Sequence, residues 1–252
     1  MNKKKILKPF IITTSVILII IAAFFIYTGI YYHGDMNAIN SYTVENVTCT
    51  TYSKNVKIYS PKQTDTALIF YPGGKVQDIS YEPLMKACAQ KGIMCILIKM
   101  PFNLAVFDSN AAEDVRHELQ KEYPNIKHWY IGGHSLGGSM AGSHLAKNTE
   151  DYDGLILLGS YITSDISQTD LNVLSIYGSE DKVMNHEKYN KYLSNLPGNY
   201  QEKIIEGGCH AYYGMYGKQK KDGTPSVSNI EQIEITAEFI NEYIFQQTKT
   251  PS

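Results

Sequence analysis

The chain has 252 residues, room for one ordinary globular domain and a short appendage. A hydrophobic fraction of 43% and a charged fraction of 19% exclude a disordered chain. The net charge is −2, and Lys3, Lys4, Lys5 and Lys8 carry all the charge of the first 34 residues, so 19 basic against 25 acidic residues make the remainder mildly acidic and argue against a nucleic-acid partner.

From Pro9 to Gly34 the chain has no Asp, Glu, Lys or Arg, and "FIITTSVILIIIAAFFIYTGIYY" is almost wholly apolar. A run of about 20 apolar residues predicts a membrane-crossing helix, because only a helix satisfies its own backbone in lipid. Four lysines precede the run and Asp35 is the first charge after it. That asymmetry predicts a cytoplasmic N-terminus and an extracytoplasmic body on the cell membrane, with Tyr27, Tyr31 and Tyr32 at the outer interface. A cleaved signal peptide is the alternative, but its apolar core should be about 7–15 residues and end in small residues. Here Ala22-Ala23 run on into Phe24-Phe25-Ile26, so an uncleaved signal anchor is expected over residues 1–34.

Residues 35–43 read as a stem, and the domain proper as 44–252. "YTVENVTCT" and "NVKIYS" are β-rich and partly alternating, which predicts an antiparallel entry to a sheet. Short, nearly continuous apolar runs follow at 66–71, 94–100, 128–133, 154–160 and 172–178, as expected of strands buried on both faces of a parallel sheet. Helix-like stretches lie between them at about 80–91, 109–122, 136–148 and 185–195. "NIEQIEITAEFINEYIFQQ" closes the chain at helical spacing through Ile230, Ile233, Ala237, Ile240 and Ile244. This alternation predicts an α/β fold, a doubly wound and mostly parallel sheet with helices on both faces.

The stretch "YIGGHSLGG" follows a buried strand and opens a helix. Within it Gly133-His134-Ser135-Leu136-Gly137 matches G-x-S-x-G, the nucleophile elbow, in the context that motif requires. Serine is a weak nucleophile and needs a base oriented by a third group. Downstream, "NVLSIYGSEDKV" ends a strand with Asp181, and "QEKIIEGGCHAYYG" ends another with His210. Both fall at C-terminal strand ends, where active sites of parallel sheets assemble. Ser135, Asp181 and His210 are therefore the candidate triad, with Glu180 competing for the acid position. An oxyanion hole needs two backbone donors, expected from Leu136 and from the loop "FYPGGKV", where Gly74 is the first choice and Lys75 the alternative.

With "FYPGGK", "GGHSLGG", "YGSEDKV" and "GGCHAYYG" in this order, the chain from about residue 44 resembles the α/β-hydrolase superfamily. It is most similar to compact bacterial members labelled dienelactone-hydrolase-like. It departs from them in having Pro72-Gly73 where the loop usually starts His-Gly, and Ser135 where dienelactone hydrolases use cysteine. The resemblance implies an α/β-hydrolase fold and a serine hydrolase acting on carboxylic esters through an acyl-enzyme. The same triad would serve an acyltransferase, and a catalytically silent binding module is the alternative from another class. Expected partners are a small-molecule ester and, through the N-terminal helix, the lipid bilayer.

No metal or organic cofactor is expected. Cys49, Cys88, Cys95 and Cys209 show no disulfide or zinc spacing and read as small apolar residues. His134 is expected to pack rather than react, and His144 and His186 to lie at the surface. "AYYGMYG" is either a pocket wall or a packed loop, and "KQKKDG" (218–223) a solvated turn. Only "YITSDISQTDL" separates two strands where cap domains usually enter, which predicts no cap and an open, shallow site.

Overall fold

The computed structural model describes the backbone of residues 3–248, with side chains over 13–247. The chain divides into a short N-terminal unit ending at Tyr31 and a larger unit beginning at Tyr32.

The N-terminal unit is one helix, α1 (Lys3–Gly29). Val16 to Ile21, Phe25 and Ile26 are exposed along it. Among the described residues no helix is long and apolar enough to cross a membrane. The part of α1 with described side chains begins at Thr13 and stops short of the roughly 20 residues a crossing needs. The basic tip and the first residues of the expected span lie outside the described side chains, so the expected anchor gains no support from them.

The larger unit is built on one eight-stranded sheet in the order β1-β2-β4-β3-β5-β6-β7-β8. β1 (Val47–Ser53) and β2 (Val56–Pro61) form the antiparallel hairpin at one edge. β2 also pairs antiparallel with β4 (Met94–Ile98). β3 (Thr66–Tyr71), β4, β5 (His128–His134), β6 (Gly154–Leu158), β7 (Asn172–Gly178) and β8 (Gln201–Ile205) are parallel. The stem expected over 35–43 is more structured than the sequence suggests. It holds α2 (Met36–Ser41), which Asp35 caps by accepting from the N–H groups of Asn37 and Ala38, and it buries Ile39 and Tyr42.

Period-two alternation assigns each strand residue to a face. In β3, Leu68 and Phe70 join a core under α3 (Glu82–Gln90) and α7 (Asn229–Thr248). Ala67, Ile69 and Tyr71 join the opposite core, under α4 (Ala111–Glu122) and α5 (Leu136–Leu145). Burying each large apolar side chain stabilises by about 1.5–3 kcal/mol. Strands loaded this way on both faces hold their C-terminal ends steady, and those ends carry the candidate residues. Between β6 and β7 the chain runs from 159 to 171 without helix or strand; α6 (His186–Tyr192) follows β7.

Candidate active site

Ser135 sits where β5 ends and α5 begins, at φ 52° and ψ −123°. A residue with a side chain is rarely found there, and the surroundings must over-determine it. The elbow is tight because helix and strand nearly touch. A Cβ on Gly137 would lie 2.3 Å from the carbonyl oxygens of Tyr71 and Pro72, and one on Gly133 would lie 2.6 Å from that of Tyr71. The Ser135 N–H donates to Leu158 O at 2.9 Å, and Ser160 Oγ donates to Ser135 O at 2.7 Å. These bonds tie the serine to the end of β6.

Asp181 and His210 meet beside it. His210 Nδ1 lies 2.7 Å from Asp181 Oδ2, and the two residues are 1% and 0% exposed. The other carboxylate oxygen accepts from the N–H groups of Val183 (2.9 Å) and Met184 (2.8 Å), which sets its rotamer. With Nδ1 engaged, Nε2 is the nitrogen left for proton transfer; it is buried and has no hydrogen-bond partner. Glu180, the competing acid, is turned away, its half-exposed carboxylate 3.8 Å from Lys182 Nζ. His134, next to the serine, packs against His210 with ring centroids 4.4 Å apart and planes tilted by 49°.

The two candidate oxyanion donors on the β3 loop differ. The Lys75 N–H is already committed to Asn103 O at 2.7 Å, whereas that of Gly74 has no protein acceptor among the described residues. Leu136 opens α5, so its N–H has no intrahelical acceptor, and the helix end favours negative charge. The two free donors belong to neighbouring residues, since a Cβ on Gly74 would lie 2.8 Å from Leu136 Cδ2.

Several supporting residues are not visible in the sequence pattern. Gly159, at φ +50°, lies directly under the pair: a Cβ there would be 3.0 Å from both Asp181 Oδ2 and His210 Nδ1. Its place after a buried strand was the one available signal. Asp222 accepts from the N–H groups of His210 (3.2 Å) and Ala211 (2.9 Å). "KQKKDG" is therefore not merely a solvated turn, since its aspartate holds the histidine loop. Gln232 on α7 clamps the same loop, accepting from Cys209 N and donating to Cys209 O. No local spacing announces either contact.

Other expectations divide. Tyr213, Met215 and Tyr216 are buried, so "AYYGMYG" is a packed loop, with Tyr213 donating to Ile176 O. His186 is exposed as expected. His144 is not: it is 1% exposed and bonds Tyr152 Oη at 3.0 Å. Its position three residues after Ala141 places it on the buried stripe of α5. Cys88, Cys95 and Cys209 are free and buried, Cys49 free and exposed. Burial, and then Asp222, push the Cys209 thiol up to about 12, which suits a packing role. Among the described residues no group of three or more His, Cys, Asp and Glu is placed to hold a metal ion.

Comparison with known proteins fits this architecture. The pattern of the family described as "Alpha/beta hydrolase family" matches residues 67–234, more than half of the chain. The chain belongs to the alpha/beta hydrolase family. A solved structure of this hydrolase fold, TT1662 from Thermus thermophilus, superposes with a TM-score of 0.60 over 81% of this chain and 99% of that one. At 13% identity the likeness concerns the fold alone. No curated protein matches this hydrolase-family sequence.

Proposed function

We propose that the protein is a serine hydrolase of carboxylic esters. The observations that carry this reading are the buried Asp181–His210 pair, which leaves Nε2 free, and the serine strained on the elbow next to His134, whose ring packs on His210. Ser135 Oγ attacks the acyl carbonyl while His210 Nε2 takes its proton. The tetrahedral oxyanion accepts the Leu136 and Gly74 N–H groups. His210 then returns the proton to the leaving alkoxide, releasing an alcohol and an acyl-enzyme. Water repeats the sequence, giving the carboxylic acid and free Ser135. Asp181 holds the imidazole tautomer and stabilises the imidazolium that forms.

We further infer that the domain is tethered to the cell membrane by residues 1–34, with the N-terminus inside and residues 44–252 outside. The support is the uncharged run from Pro9 to Gly34, the lysines before it and the exposed apolar surface of α1.

A fluorophosphonate probe and p-nitrophenyl acetate test the chemistry together. Wild-type protein should be labelled and should hydrolyse the ester, and Ser135→Ala should do neither. A folded wild type that takes no label and releases no nitrophenol would end the reading.

A further inference from the structure

We propose that Tyr81 and His134 are positioning residues, a hydrogen-bonded pair that couples the oxyanion loop to the imidazole of His210. This rests on the hydrolase reading above. The loop leaves β3 through Pro72, which has no N–H, so Gly73 carries its first donor. That donor is spent on Tyr81 Oη at 3.0 Å, and Tyr81 Oη in turn lies 2.7 Å from His134 Nδ1. Tyr81 is 0% exposed and His134 1%. The loop rests directly on the pair: a Cβ on Gly73 would come within 2.7 Å of both His134 Nδ1 and Tyr81 Oη. The His134 ring also packs against His210 and Tyr213, with centroids 4.4 Å and 5.2 Å away.

Two proton placements satisfy the Tyr81–His134 bond. Tyr81 Oη accepts the Gly73 N–H and keeps one proton and a second lone pair, so it can donate to His134 Nδ1 or accept from it; we take Tyr81 as the donor. Burial first, and then the neighbouring His210, hold His134 far below the ordinary imidazole range, with the His210 backbone acting the other way. A neutral ring with Nδ1 accepting carries its proton on Nε2. Two consequences follow for catalysis. The His210 ring has a rigid wall on one face, and that wall does not repel the imidazolium formed when Ser135 loses its proton. The height of the loop carrying Gly74 is set by the same side chains, so the oxyanion donor and the base stay in register. Small misplacements of such groups cost rate without costing substrate affinity.

The full chain carrying Tyr81→Phe, His134→Phe, both changes, or His134→Asn tests the pair with p-nitrophenyl acetate. Each phenylalanine variant should lower kcat by about tenfold with KM within about twofold, and the double variant should lose no more than about either alone. His134→Asn offers Oδ1 to the tyrosine proton and should return kcat to within about threefold of wild type. Wild-type kcat in His134→Phe, or losses that multiply in the double variant, would overturn the coupling. A second measurement covers variants that fold poorly. Long-range 1H–15N spectra of 15N-histidine-labelled wild type at pH 7.5 should show His134 as the neutral Nε2–H tautomer. An Nδ1–H tautomer there refutes Tyr81 as the donor to His134. A wild type that hydrolyses no ester counts against the hydrolase reading, and the spectra still decide the donor.

Discussion

Gly159 shows how little room the Asp181–His210 pair leaves. Its backbone is left-handed and its missing Cβ would press on both bonded atoms. A side chain there must either strain the backbone, at about 1–3 kcal/mol, or push the carboxylate from the imidazole. Gly159→Ala should therefore lower kcat by at least about tenfold, because a catalytic hydrogen bond displaced by even an ångström is costly. Steady-state kinetics with p-nitrophenyl acetate would show it, and unchanged kcat would mean the loop can yield. At this scale the elbow at Ser135 and the meeting of Asp181 with His210 could be expected from the sequence because each ends an apolar run. Asp222, Gln232 and Tyr81 were not, since each reaches its partner from a separate segment. His144 was legible in principle, because helical spacing from Ala141 already put it on the packed side of α5.

Among the elements, the loop after β3 is held from two sides. Asn103 O takes the Lys75 N–H, while Lys75 O accepts from Tyr32 N at 2.7 Å and Tyr32 O accepts from Gln77 N at 2.9 Å. Tyr32 thus makes a short parallel bridge to Val76, with its ring against Tyr216 and its hydroxyl accepting from Lys220 N. Lys75, Phe102 and Asn103 all have positive φ, so the loop and its support are both strained and need these bonds. Tyr32→Pro deletes the donor to Lys75 O. It should reduce ester hydrolysis about tenfold, whereas Tyr32→Phe, which keeps the ladder, should stay within about twofold. Equal activity in both variants would show that the bridge does not support the donor loop. The strands and main helices of the domain were readable from apolar runs and helical spacing. The bridge at Tyr32 and the helix α2 were not, because backbone pairing of a single residue leaves no periodic trace.

For the whole molecule, the domain unit begins at Tyr32, the last residue of the apolar run that starts at Phe10. If that segment anchors the protein, the full chain should stay with membranes through alkaline carbonate, and protease added to intact spheroplasts should degrade residues 44–252. Release by carbonate, or a mature N-terminus beyond residue 30, would refute an uncleaved anchor. By itself the sequence determined the α/β alternation, the elbow serine and the order in which the candidate acid and base follow it. These are properties of neighbouring residues, and a buried strand or a tight turn writes them locally. Tertiary structure decided which acidic residue faces His210, which loop amide remains free, and that Tyr81, His134, Gly159 and Asp222 surround the triad. Those choices depend on residues distant in the chain competing for the same buried donors and acceptors, and only packing settles that competition.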